Sequence, residues 1–224
     1  MANKTPLKKT ERSKVQRVRK RGAYDRATLN AIVDAAVLCH VAYVIDGAPY
    51  CTPTLVWRED DYVYWHGSSI SRFLQQAIGS QACLTVTHLD GLVLARSAFH
   101  HSANYRSAML FGEVELVEGD AKMAALKTFL DGTFPNRWDS LRPMTRKEER
   151  ATTLVRMRID EGSAKIRTGP PVDDKTDYEL PIWAGVIPVG STLGEPIADD
   201  LNLPGVEAPE HVSEYVLGFQ QTSS

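Results

Sequence analysis

The residues with most chemical promise form one short run, Trp65-His66-Gly67-Ser68-Ser69-Ile70-Ser71-Arg72. Glycine lets a backbone approach a ligand closely, and three serines supply hydroxyl donors. If a helix starts here, the free N–H groups of its first turn converge on the same spot. Arg72 can then grip a phosphate with two parallel donors. The chemistry is anion binding, although a serine-capped helix with an exposed arginine would use the same residues. A second cluster spans residues 96–107 and includes Arg96, His100, His101, Asn104, Tyr105, Arg106 and Ser107. It reads as the edge of a site touching cofactor or substrate. Adjacent histidines on a strand point to opposite faces, and no carboxylate partner is in register, so no metal site is expected. The sequence has no GxSxG elbow, and the pairs Asp60-Asp61, Asp173-Asp174 and Asp199-Asp200 read as solvated turns and tails. No catalytic residue is assigned.

These residues need a scaffold, and the hydrophobic pattern supplies one. Leu29, Ile32, Val33, Ala36 and Val37 share one helical face, with Asp25 placed to cap it. Strands are expected over 40–45 and 49–57 around Asp46-Gly47, a pair that tolerates the positive φ of a tight hairpin. Pro53 marks the second strand as an edge or a bulge. A third strand covers 62–66, and a short helix 68–78 ends at Gly79. Further strands are expected over 82–88, 92–98, 106–117, 154–159 and 165–167, with helices over 120–130 and 145–152. A last extended segment, 180–189, carries Trp183. Short strands that do not alternate with helices as βαβ units argue for a mainly β fold, a β-barrel with peripheral helices. A dinucleotide-type Rossmann sheet is disfavoured, since GxGxxG is absent.

The hydrophobic share of 43% and charged share of 24% are those of a globular protein. Nine Lys or Arg residues against Glu11 give residues 1–21 a charge of +8, leaving −10 on the rest and −2 overall. A basic arm on an acidic body could touch nucleic acid, but with no aromatic residue before Tyr24 the expectation is none. Its last arginines are expected to fold back onto an acidic surface or a cofactor phosphate. Cys39, Cys51 and Cys83 sit in apolar runs and read as buried free thiols in a reducing cytoplasm. No apolar run is long enough for a membrane span. The organisation expected is a basic arm over 1–21, a domain over 22–190 and an irregular tail over 191–224.

Taken in order, several blocks resemble the pyridoxamine phosphate oxidase-like FMN-binding split barrels, nearest the nitroimidazole-resistance and flavin-nucleotide-binding branch. They are the arginines of 17–21, Gly47-Ala48-Pro49-Tyr50, Thr52-Pro53-Thr54, Tyr64-Trp65-His66, Ser71-Arg72, residues 97–107 and 163–171, and Pro181-Ile182-Trp183-Ala184-Gly185. The resemblance implies a homodimer with FMN at the subunit interface. It implies that Thr52, Pro53, Thr54 and Leu55, with Trp65, His66, Gly67 and Ser68, lie along the isoalloxazine. Ser71 and Arg72 take the phosphate, the partner supplies Asn104, Tyr105, Arg106 and Ser107, and Trp183 flanks the ring. The basic residues that oxidase members carry on the second strand are missing from Tyr50-Cys51-Thr52-Pro53-Thr54-Leu55-Val56-Trp57, so oxidation of pyridoxamine phosphate itself is not expected. The leading expectation is a flavin-dependent oxidoreductase acting on a small molecule, with His66, His100 or His101 as conceivable proton donors. A non-catalytic flavin carrier and a haem-binding split barrel, with an axial histidine such as His100 or His101, are the alternatives.

Overall fold

A computed structural model describes residues 5–219. The two-residue strand β1 (Gly22–Ala23) leads into α1 (Arg26–Asp34), where the Asp25 carboxylate accepts from the Thr28 N–H at 2.8 Å, the expected cap. The hairpin β2 (Leu38–Ile45) and β3 (Ala48–Leu55) turns at Asp46 and Gly47, with φ of 51° and 79°, and β3 pairs only with β2. Pro53 therefore sits on an edge strand, where its missing N–H removes no ladder bond that a neighbour needs. Next come β4 (Trp57–Glu59), β5 (Tyr62–Ser68), the six-residue α2 (Arg72–Ala77), β6 (Gln81–Leu94) and β7 (Ser102–Val117). After α3 (Gly119–Thr133) and α4 (Arg146–Ala151) the chain ends its sheet with β8 (Thr152–Arg158), β9 (Glu161–Arg167) and β10 (Gly185–Pro188).

All neighbouring strands are antiparallel, in the order β3-β2-β6-β7-β8-β5-β4, with β9 bridging β1 and β7 and β10 on β6. Strand β7 splits its allegiance. Tyr105–Phe111 lies between β6 and β9, whereas Val114–Val117 pairs with β8, and that divergence makes a split barrel. The fold is thus the mainly β split barrel expected. Inside it pack Val41, Val63, Trp65, Leu84, Leu110 and Met157, all essentially without exposure. A second core lies under α3 and contains Trp57, Tyr64, Leu126, Phe129, Leu154 and Phe219. Among the described residues no helix is long and apolar enough to cross a membrane.

Three expectations are corrected. The strands expected over 82–88 and 92–98 are one strand, because Asp90 bulges out between Leu89 and Gly91 and its carboxylate takes the Arg106 guanidinium at 2.9 and 3.0 Å. Asn104 to Ser107 consequently lie within β7 and not in a loop. The basic arm is docked: Leu7 is buried in the barrel core, and Arg12 grips Glu161 at 2.6 and 2.7 Å. Finally, Cys51 is exposed on the open edge strand and Cys83 half-buried, so only Cys39 is a buried thiol. Burial pushes the Cys39 thiol up to about 12 and the Cys83 thiol up to about 11, which keeps both protonated.

Among the described residues the tail beyond β10 has no strand, yet it is anchored at Phe219. Phe219 donates its N–H to the Asp34 carbonyl at 2.7 Å and lies flat on Gly132 of α3, where any side chain would overlap its ring.

Candidate functional site

Strand alternation on β5 divides its residues between two compartments. Val63 and Trp65 point into the barrel, and Tyr64 and His66 point under α3. His66 meets the Phe129 ring at 5.2 Å and the Trp57 ring at 5.9 Å. It also lines a cavity of about 550 Å³, whose other walls include Met123, Leu126, Phe129, Trp138 and Met144. That volume is in the range of small-molecule and cofactor sites. The His66 Nδ1 is buried and has no hydrogen-bond partner, and burial holds the imidazole below its ordinary pKa. At neutral pH the ring is therefore uncharged, the form that can ligate a metal. Arg142, clamped by Glu148 at 2.9 Å, is the cation at this cavity. Among the described residues no three His, Cys, Asp or Glu side chains gather around a possible metal ion.

Of the other expected residues, Pro53, Tyr105 and Ser107 alternate with core positions and so sit on the outer side of the barrel. Cross-strand registers align Pro53 with His40, Thr85, Met109 and Ser163, and set Thr87 beside Ser107 and Lys165. Leu38, Leu89 and Met109 leave 57%, 46% and 41% of their surface open on these strands, an unusual apolar share for a sheet exterior. Thr52 bonds Tyr43 at 3.1 Å, and Arg72 lies over the Tyr50 ring at 5.6 Å. Ser71 makes no capping bond to the short α2. Asn104 is buried and bonded to Gly169, Arg106 to Asp90, and Ser107 to the Lys165 carbonyl. Gly67 is packed against Leu74, and Ser68 is exposed. Trp183, 69% exposed, folds over Gly185 at the start of β10.

A family model described as pyridoxamine 5'-phosphate oxidase matches residues 25–166. The chain belongs to that family. Two solved relatives extend the likeness to nearly the whole chain. A flavocytochrome of Azotobacter vinelandii is 45% identical, covering 95% of this chain and 100% of its own, at a TM-score of 0.90. A protein of Mycobacterium smegmatis described as binding FAD and haem is 36% identical over 90% of this chain and 100% of its own, at 0.84. A Bacteroides thetaiotaomicron protein assigned to 5-nitroimidazole antibiotic resistance shares the fold at 23% identity, 65% and 86% coverage and a TM-score of 0.52. No curated protein matches the chain.

Within this family member the expected site residues fall into three places. Thr52, Pro53, Thr54 and Leu55 lie on β3, three strand spacings away from Asn104, Tyr105, Arg106 and Ser107 on β7. At about 4.8 Å per strand that is roughly 14 Å, so one chain does not close both sets on a single ring. Trp65 offers a ligand only its backbone, since its side chain has 0% exposure in the barrel core. His66 faces the cavity, apart from all the others. His101 bonds the Ser97 carbonyl at 2.9 Å, and His100 lies 3.5 Å from Asp174, both at the tip of the β6–β7 hairpin. Sequence reasoning missed the cavity residues on α3 and at 138–144, because no motif in those segments announces a shared void.

Proposed function

We propose that this protein is a redox protein that holds a haem in the cavity beneath α3 and a flavin nucleotide on the outer face of the barrel, between two copies of the chain. The observation that carries the haem is His66, a neutral imidazole that lines an apolar cavity of about 550 Å³ and whose buried Nδ1 has no partner in the fold. An unpaired buried polar atom costs about 1–3 kcal/mol, a cost that a structural role alone does not offset. The cavity residues fit the group: aromatic, aliphatic and thioether walls suit a porphyrin. When bound, haem would supply one-electron chemistry. The chain's own part is to present a ligand nitrogen, to exclude water with Leu126, Phe129 and Trp138, and to lower the local dielectric.

For the flavin, support comes from Leu38, Leu89 and Met109, exposed on the outer face, and from the two relatives described as a flavocytochrome and as an FAD and haem binder. The separation of Thr52–Leu55 from the Asn104–Ser107 stretch supports a homodimer in which the partner completes the site. The sequence points to FMN and the mycobacterial relative is described with FAD. Both carry the isoalloxazine and a phosphoryl group, and the reading rests on that shared unit. Such a pair of groups would supply the chemistry for coupling a two-electron donor to a one-electron acceptor, which suits an oxidoreductase acting on a small substrate.

The test is the spectrum of purified protein reconstituted with haemin and flavin. A Soret band and flavin bands together are expected. His66→Ala should abolish the Soret band and keep the flavin bands. A wild-type protein without a Soret band, or a variant with the same one, would sink the haem assignment. Sedimentation showing only monomer with flavin bound would remove the dimer.

A further inference from the structure

Among the described residues, three arginines are buried: Arg26, Arg58 and Arg167. Two are neutralised in the ordinary way. Arg26 pairs with Asp61 at 3.0 Å, and Arg58 with Asp34 at 2.7 Å. Arg167, 6% exposed at the end of β9, has no carboxylate. Its Nη1 and Nη2 reach only neutral oxygens, those of Asn104, Gly169 and Pro170, and its Nε is buried without a partner. A buried charge left unpaired is strongly unfavourable unless something outside the chain completes it.

The surroundings add positive charge. Lys165 lies two residues earlier on the same side of β9 and makes no ion pair. Arg21 belongs to a short turn, Arg19–Arg21, that precedes β1, the strand paired with β9 at Gly22 and Lys165. Arg21 likewise makes no ion pair among the described residues. Burial first, and the nearby Arg21 charge second, lower the Arg167 pKa. The register of β1 on β9 brings Arg21 next to Lys165, which shares with Arg167 the side of the sheet that carries Tyr105 and Ser107, and none of the three has an ion pair among the described residues.

We infer that Arg167, Arg21 and Lys165 form a subsite for a phosphoryl anion, separate from the Ser71–Arg72 segment. This rests on the flavin reading for its most natural occupant, a flavin's phosphate or pyrophosphate, although any phosphorylated ligand of this face has the same chemistry. Arg167 is the positioned donor, and its buried Nε is the guanidinium nitrogen that the fold leaves without a partner. Arg21 and Lys165 supply the screening charge. Arg21, at the end of the basic arm, thus contributes to an anion subsite.

The experiment is calorimetric titration of the full chain with riboflavin, FMN, FAD and inorganic pyrophosphate, in wild type, Arg21→Gln and Arg167→Lys. Wild type should bind FMN or FAD about tenfold or more tighter than riboflavin, as one charge-assisted hydrogen bond allows. Arg21→Gln, on a surface turn that tolerates change, should erase that preference and leave riboflavin affinity unchanged. Equal affinity for all three flavins in wild type, or an unaltered preference in Arg21→Gln, would overturn the subsite. If Arg167→Lys does not fold, Arg21→Gln alone decides. If no flavin binds but pyrophosphate does, and Arg21→Gln loses it, the flavin reading falls and the anion subsite stands for another phosphorylated ligand. If neither binds, both fall.

Discussion

Replacing His66 by leucine should make the cofactor-free protein more stable while removing its capacity to take up haem. The magnitude follows from the compartment. The imidazole is walled by Phe129 and Trp57, its Nδ1 is unpartnered, and leucine presents similar apolar volume without a polar atom. Removing an unsatisfied buried group returns about 1–3 kcal/mol, offset in part by imperfect packing, so a gain of about 1–2 kcal/mol is expected. For a chain of this length that is roughly 2–8 °C in Tm. A pH dependence accompanies it. Because burial lowers the folded pKa of His66 below the ordinary 6.5, the unfolded chain takes up the proton first as pH falls. Wild-type stability is therefore intact above pH 6.5 and declines below it, by up to about 1.4 kcal/mol per pH unit until the folded-state ring also protonates. Leucine has no such proton, and the gap between the two proteins should widen from pH 7.5 to pH 5.5. Urea denaturation of both apoproteins, followed by tryptophan fluorescence at the two pH values, measures it. A variant less stable than wild type, or a gap that does not widen on acidification, would show that His66 has a partner in the fold and would remove the argument that it is held for a ligand.

Gly132→Ala should push the Phe219 ring off α3 and cost about 1–3 kcal/mol, with the segment after residue 190 becoming more sensitive to limited proteolysis; unchanged cleavage kinetics would contradict the contact. A disulfide reagent at pH 8 should label Cys51 in seconds to minutes, with Cys39 modified only on unfolding, as mass spectrometry of the peptides can verify. Arg72→Ala should leave the melting temperature within about 1 °C, since the side chain is exposed and stacks only on Tyr50, and should reduce flavin retention on dialysis. Retention equal to wild type would take Arg72 out of the site.

What the sequence made legible was local. Asp46-Gly47 forces its turn through backbone conformations that few residue pairs accept, Asp25 caps the helix that follows it, and Pro53 excludes a central strand. Each decision is made within a few residues, and the split-barrel class follows from their order. Asp90 was misread for the opposite reason. Asp90-Gly91 has turn chemistry, but Arg106, sixteen residues away, holds the carboxylate and turns a stop into a bulge. The cavity is less legible still. Its walls come from β5, α3, the 138–144 segment and β8, and whether they meet or leave a void depends on packing that no periodicity encodes. The docking of Leu7 and the isolation of Arg167 are likewise matters of which side chains arrive nearby, not of spacing along the chain.

Strand β5 carries a further consequence for how this protein tolerates change. Trp65 and His66 are neighbours about 3.8 Å apart along the chain, yet one belongs to the barrel interior and the other to the cavity. A point substitution at either position disturbs a single compartment. An insertion or deletion of one residue between the β4–β5 turn and Gly67 would exchange the two, driving the imidazole into the barrel and the indole into the void. The strand thus acts as a party wall. Its composition can drift one face at a time, and its length cannot drift at all.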